Sequence, residues 1–182
     1  MRIVKGVLKG VWTVEPTLFD DERGYFMESF SERDFSAQTG MDIHFVQDNE
    51  SCSKKGVLRG LHFQREPHAQ AKLVRVVQGR VLDVAVDIRP ESPTFGKYVA
   101  TELSGTNKRQ MFIPKGFAHG YVVLEDNTIF QYKCDEFYHP ELEGGIAWND
   151  PQIGIDWGVK EDEITLSEKD KNRPLLKELC EF

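Results

Sequence analysis

Cysteine is scarce. Cys52, Cys134 and Cys180 are the only three in 182 residues, and no C-x-x-C spacing occurs. An odd number of distant thiols gives no support to a zinc knuckle or a redox pair. Cys52 and Cys134 are instead expected to be small buried side chains in strands, with Cys180 near the C-terminus, and a reducing cytoplasmic setting fits. Long apolar runs are also missing, so no membrane span is expected. The opening MRIVKGVLKGVWTVEP has no uninterrupted apolar stretch, so no signal peptide is expected either. Nor do basic residues form a block: 23 Lys and Arg face 30 Asp and Glu, for a net charge of −7. That balance argues against nucleic-acid or membrane-surface binding, although a few convergent arginines could still serve one phosphate pair. Repeats, low-complexity tracts and linkers are absent, and residues 1–182 are expected to form a single domain.

What is present is strand. Val11–Val14, Gly24–Phe30, His44–Asn49, Val57–Gln64, Lys72–Gln78, Val81–Ile88, Lys97–Leu103, Arg109–Ile113, His119–Leu124 and Thr128–Cys134 are short and rich in β-branched and aromatic residues. Gly, Pro, Asn or Asp separates them at intervals of about ten residues, the spacing of a β-sandwich or barrel. Gln78-Gly79-Arg80 and Glu125-Asp126-Asn127 read as hairpin turns. Helix is limited to Ser31–Thr39, which opens on a capping serine and stops at Gly40, and to single turns at Leu166–Lys169 and Pro174–Leu179.

Several residues could carry chemistry. In Leu58-Arg59-Gly60-Leu61-His62-Phe63-Gln64, alternation puts His62 on one face with Leu58, Gly60 and Gln64, and Gly60 leaves room for a ligand. Pro114-Lys115-Gly116 turns the chain just before His119, and a barrel could bring the two histidines to one interior pocket. A metal would require three or four ligands, but Gln64 stands where an H-x-H pair would need histidine, and Glu66 falls in a loop. Lys72 opens an otherwise apolar strand, and Tyr132 shares a face with Phe130 and Cys134. A histidine, a lysine and a phenol around one pocket suit proton abstraction beside a carbonyl. The imidazole takes the proton, a cation holds the enolate oxygen, and the phenol returns a proton from the far face. Arg23, Phe26 and Glu28 form a further cluster, suited to phosphate and a stacked base. Gln47-Asp48-Asn49 offers amides that could read a ring edge.

FDDERGYFMESF, QDNES, GVLRGLHFQ, KLVRVVQGRVLDVAVDIR, PKGFAHGYVVLE, YKC and IGIDWG together resemble the dTDP-4-dehydrorhamnose 3,5-epimerases over almost the whole chain. The resemblance implies an all-β, cupin-like jelly-roll barrel with one or two short peripheral helices, a homodimer, and no metal or redox cofactor. It implies conversion of dTDP-4-dehydro-6-deoxy-D-glucose to dTDP-4-dehydro-L-rhamnose, on the route to dTDP-L-rhamnose. His62 corresponds to the base, Asp170 to its carboxylate partner and Tyr132 to the acid. Lys72 and His119 correspond to carbonyl and sugar contacts, and Tyr138 to a thymine-stacking aromatic. Arg23, Glu28, Gln47, Asp48, Asn49, Arg59, Glu143 and Lys169 correspond to further substrate contacts, with the Arg23–Glu28 segment able to reach the partner subunit. The alternatives are a related enzyme that inverts one centre only or isomerises a 3,4-keto sugar, and a nucleotide-sugar-binding module without catalysis. One conflict stands: strict alternation puts Arg59 and His62 on opposite faces, which a bulge at Gly60 or a contribution across a dimer would resolve.

Overall fold

A computed structural model describes residues 1–179. The strands, in chain order, are β1 (Arg2–Lys5), β2 (Trp12–Glu15), β3 (Leu18–Asp21), β4 (Gly24–Met27), β5 (Gln47–Ser53), β6 (Leu58–Gln64), β7 (Lys72–Gln78), β8 (Arg80–Asp87), β9 (Tyr98–Ser104), β10 (Gln110–Ile113), β11 (Phe117–Val123), β12 (Thr128–Cys134) and β13 (Glu143–Gly145). Helices α1 (Glu32–Thr39), α2 (Glu168–Lys171) and α3 (Leu176–Leu179) are short. One antiparallel sheet runs β1-β2-β10-β7-β12-β5, a second runs β13-β6-β11-β8-β9, and β3 and β4 form a separate hairpin. The two large sheets make the cupin-like jelly roll. No described helix is long and apolar enough to cross a membrane.

The central strands are apolar on both faces because both are covered. On β8, Val81 and Ala85 face the barrel interior with Val74, Met111, Phe117, Val123 and Phe130. Val84 and Val86 face outward, under Ile146, Ile153, Trp157 and Leu176 of the C-terminal segment. The first sheet is covered in the same way: Leu73, Val14 and Phe112 pack outward against Phe35 of α1. An eight-residue helix is marginal on its own, so this buried phenylalanine anchors it. Ser31 caps its start by accepting from the Asp34 N–H at 3.3 Å, and Gly40 ends it in the left-handed region at φ 73°.

Some expectations change. Gln78-Gly79-Arg80 and Glu125-Asp126-Asn127 are not hairpin turns, because β7 and β8, like β11 and β12, lie in different sheets. A period of two identifies a strand but not the sheet that it joins. The strand expected at His44–Asn49 begins at Gln47 and runs to Ser53, and the one expected at Gly24–Phe30 stops at Met27. β1, β3 and β13 were not legible as strands. Cys52 is exposed on edge strand β5, whereas Cys134 is buried, and Cys180 lies outside the described residues.

A bulge in β6 decides the geometry of the interior. Across the β6–β11 ladder, His62 pairs with His119 but Arg59 pairs with Tyr121, so β6 carries one extra residue there. The strands approach closely at Gly60 and Gly120. A Cβ on Gly60 would lie 2.5 Å from the Gly120 Cα, and the φ of Gly60 is 133°. Only glycine tolerates both conditions. Gly60→Ala is therefore expected to destabilise the fold by about 2–3 kcal/mol and to displace His62. Urea unfolding with equal m-values checks the first part, and an unchanged midpoint would contradict the close approach.

Candidate active site

The barrel interior holds a cavity of about 650 Å³. β5 supplies Gln47 and Asn49, β6 supplies Arg59 and His62, β7 supplies Lys72, β11 supplies His119 and β12 supplies Tyr132. Tyr138 and Glu143 stand at its rim, and α2 brings Lys169 and Asp170 across from the C-terminal end of the chain. Arg59 and His62 line the same cavity because the extra residue in β6 reverses the alternation between them.

His62 Nε2 lies 2.5 Å from Asp170 Oδ1. The carboxylate can only accept, so Nε2 carries the proton and Nδ1 is the nitrogen left to take one. Asp170 is itself held in place. Its N–H donates to Ser167 Oγ at 3.1 Å, and its side chain is buried. Burial pushes the Asp170 carboxyl up, but the hydrogen bond and charge of His62, with the Ser167 bond and the Arg173 charge, together outweigh it and the net shift is downward. The pair is thus built to support a positive charge on the imidazole.

Lys72 is drawn inward because it shares a strand face with Val74 and Val76 of the core. Its Nζ lies 5.9 Å from the centre of the Tyr132 ring, and desolvation lowers its pKa. Burial pushes the Tyr132 phenol up to about 12, so it stays protonated through neutral pH. Burial likewise pushes the Cys134 thiol up to about 11, which keeps it neutral and unreactive beside them. An imidazole with a free nitrogen, a buried lysine amine and a neutral phenol therefore share one space.

The rim is a charge network. Tyr138 donates to Glu143 Oε2 at 2.6 Å, Lys169 donates to the same oxygen at 2.7 Å, and Arg173 donates to Oε1. Burial pushes the Glu143 carboxyl up, but these bonds outweigh it and hold it at about 2.

Four expected site residues lie elsewhere in the protomer. Arg23, Phe26 and Glu28 are exposed on or just after the β3–β4 hairpin, and Arg23 is paired with Asp21. Asp48 is exposed and pairs with Lys133 at 2.9 Å, since alternation turns it away from Gln47 and Asn49. The sequence reading missed Tyr121, whose phenol meets Ser51 at 2.9 Å, along with Asp83 and Arg173. Tyr121 stands two residues beyond His119 on the same strand face, and Asp83 is a charge in an apolar strand; both were readable signals. Arg173 carried none. Among the described residues, His68, Glu136 and His139 bring three potential metal-ligating atoms within 4.8 Å of one another, beside Gln64 rather than His62. Their imidazole rings are stacked 3.9 Å apart and 15° from parallel, so no ion can lie in both ring planes.

A sequence profile described as dTDP-4-dehydrorhamnose 3,5-epimerase matches residues 5–178. The chain is 53% identical to a protein of that name from Methanothermobacter thermautotrophicus, over 97% of this chain and 95% of the relative. It superimposes with a TM-score of 0.95 on the crystal structure of the dTDP-4-dehydrorhamnose 3,5-epimerase of Elizabethkingia anophelis. The identity there is 54%, covering 98% and 97% of the two chains. It also matches the dTDP-6-deoxy-D-glucose-3,5-epimerase of Legionella pneumophila in complex with dTDP-4-keto-L-rhamnose, at a TM-score of 0.93 and 50% identity, over 97% and 93% of the chains.

Glu143 yields a pH-dependent expectation. Its carboxyl is depressed from 4.5 to about 2 on folding, so it contributes stability above about pH 4.5 that is lost as the pH falls towards 2. Glu143→Gln is expected to cost about 1–3 kcal/mol at pH 6. The gap to the wild type should close as unfolding is repeated down to pH 2.5. A gap that is constant with pH would contradict the charged network.

Proposed function

The chain belongs to the dTDP-4-dehydrorhamnose 3,5-epimerase family, and from that premise we propose that it converts dTDP-4-dehydro-6-deoxy-D-glucose to dTDP-4-dehydro-L-rhamnose by inverting C3 and C5 in the pocket around His62. It is a carbohydrate isomerase of dTDP-rhamnose biosynthesis. The hydrogens on C3 and C5 both flank the C4 ketone, so removal of either yields an enolate on the same oxygen. The ketone is the substrate's own electron sink.

His62 Nδ1 takes the proton, and Asp170 supports the imidazolium that results. Lys72 faces the C4 oxygen, where negative charge develops, and one cation there serves both enolisations. Tyr132 returns a proton to the carbon from the opposite ring face. Its phenolate regains a proton from water, and His62 releases its own. A phenol held near pKa 12 is protonated when its turn comes. Arg59 suits the diphosphate, and Tyr138, with Gln47 and Asn49, suits the thymine. The observation that carries this reading is the His62–Asp170 pair, 2.5 Å apart, in one cavity with Lys72 and Tyr132.

Arg23, Phe26 and Glu28 take part through a homodimer. Phe19 and Phe26 are exposed on the β3–β4 hairpin with ring centres 6.4 Å apart, an aromatic surface suited to a partner. In that arrangement each hairpin supplies Arg23 and Glu28 to the other subunit's cavity. The free thiols of Cys52 and Cys134 fit a reducing compartment and support a cytoplasmic setting for the reaction.

Tyr132→Phe separates deprotonation from inversion. His62 and Lys72 remain, so deuterium from the solvent should still enter C3 or C5, on the original face. Epimer formation is expected to fall about 10²-fold or more. Equal loss of exchange and inversion, followed by NMR, would instead give Tyr132 a structural role.

Mixing variants tests the shared site. Arg23→Ala and His62→Ala should each be impaired alone. Co-refolded, heterodimers contain one cavity with both residues intact, so about a quarter of wild-type activity is expected at low substrate. No recovery would place Arg23 in its own subunit's site or outside the chemistry.

A further inference from the structure

β8 carries one charge where every neighbour is apolar. In Val81-Leu82-Asp83-Val84-Ala85-Val86, Asp83 is fully buried. Its Oδ1 lies 2.8 Å from His119 Nε2. Its Oδ2 is buried with no hydrogen-bond partner among the described residues. A carboxylate oxygen left bare in a protein interior is costly, so such an arrangement calls for a compensating charge nearby. The cations and titratable groups that face the cluster are Lys72 from β7, His62 from β6, the Tyr121 phenol from β11 and, beside Lys72, the Cys134 thiol of β12 and Glu143 of β13. His119, in turn, lines the cavity, and its Nδ1 makes no hydrogen bond among the described residues.

We propose that Asp83 is a positioning residue for the epimerisation, fixing His119 with its proton on Nε2 and serving as the buried counter-anion of Lys72. The inference rests on the reading of Lys72 and His119 as contacts to the sugar, and it separates their roles. A carboxylate accepts only, so the His119 proton sits on Nε2. Burial lowers the pKa of His119 against the opposing pull of Asp83, so the ring is neutral and Nδ1 holds a lone pair. His119 therefore meets the substrate as an acceptor and suits a sugar hydroxyl, not the ketone oxygen. Lys72 is left as the cluster's donor to that oxygen. Burial lowers the pKa of Lys72 and raises that of Asp83; against this, Cys134, Asp83 and Glu143 favour the charged Lys72, and His119 and Lys72 favour the ionised Asp83. With Asp83 and Lys72 ionised as a pair, the cluster carries no net charge before the reaction, and Lys72 offers its charge to the enolate without competition from a second cation on His119.

The test combines ¹⁵N NMR of histidine with the kinetics of Asp83→Asn. In the wild type without substrate, His119 signals, assigned by their loss in His119→Asn, should show Nε2–H and an unprotonated Nδ1 from pH 6 to 9. Asp83→Asn should release that tautomer into a mixture. It should lower kcat more than it raises KM, and move the alkaline limb of the kcat profile down by about one unit or more. A purely structural role for Asp83 would move the melting temperature and leave the limb in place. A proton on Nδ1 in the wild type overturns the proposal, as does an unchanged limb in a folded variant. If the variant does not fold, the wild-type tautomer decides. Failure of the wild type to turn over the 4-keto sugar would instead overturn the functional reading, because the NMR result needs no substrate.

Discussion

The absence of side chains at Gly60 and Gly120 lets β6 and β11 approach closely while β6 accommodates an extra residue. The rest of the site follows from that bulge. Without it, alternation would point Arg59 and His62 to opposite sides of the sheet, and one of them would face the C-terminal segment. With it, both enter the barrel. His62 then comes within reach of Asp170, which arrives from α2, more than a hundred residues later in the chain. That contact ties the C-terminal segment to the barrel and defines which imidazole nitrogen is free. Packing on the outer face of β6, where Leu58 and Leu61 meet Ile146 and Leu176, holds the segment in place.

Charge is arranged in two layers around this frame. Deep in the cavity, Lys72, Asp83 and His119 lie among apolar neighbours, and burial works against each charged form. At the rim, Glu143 gathers Lys169, Arg173 and Tyr138 in bonds strong enough to overcome burial. A chain with a net charge of −7 can therefore present a local set of cations to an anionic nucleotide sugar. In the proposed reaction the inner layer meets the reacting ketone, and the outer layer meets the nucleotide end.

Much of this was legible in the sequence, for physical reasons. Strand periodicity and turn residues located the main strands, with boundaries shifted by a few residues. The Ser31 cap and Gly40 marked α1. The polar residues set in apolar strands marked Lys72, His62 and Tyr132. The hairpin reading of Gln78–Arg80 and Glu125–Asn127 failed because strands covered on both faces look alike whichever sheet they join. Asp83 was passed over as one acid in a strand, although its isolation among valines was the signal. The pairing of His62 with Asp170 could not come from local pattern, since their separation in sequence is closed only by the fold. Phe26 and Glu28 were placed on one strand face and grouped with Arg23, but the hairpin that bears them stands apart from the cavity of its own protomer.

The central claim is that one base, one cation and one acid serve two carbons through a shared C4 enolate. NMR in D₂O with the wild-type protein and purified dTDP-4-dehydro-6-deoxy-D-glucose tests it most directly. The account predicts deuterium at both C3 and C5 of the product, with the configuration of both centres inverted. Exchange and inversion confined to one carbon would contradict it and identify a single-centre epimerase.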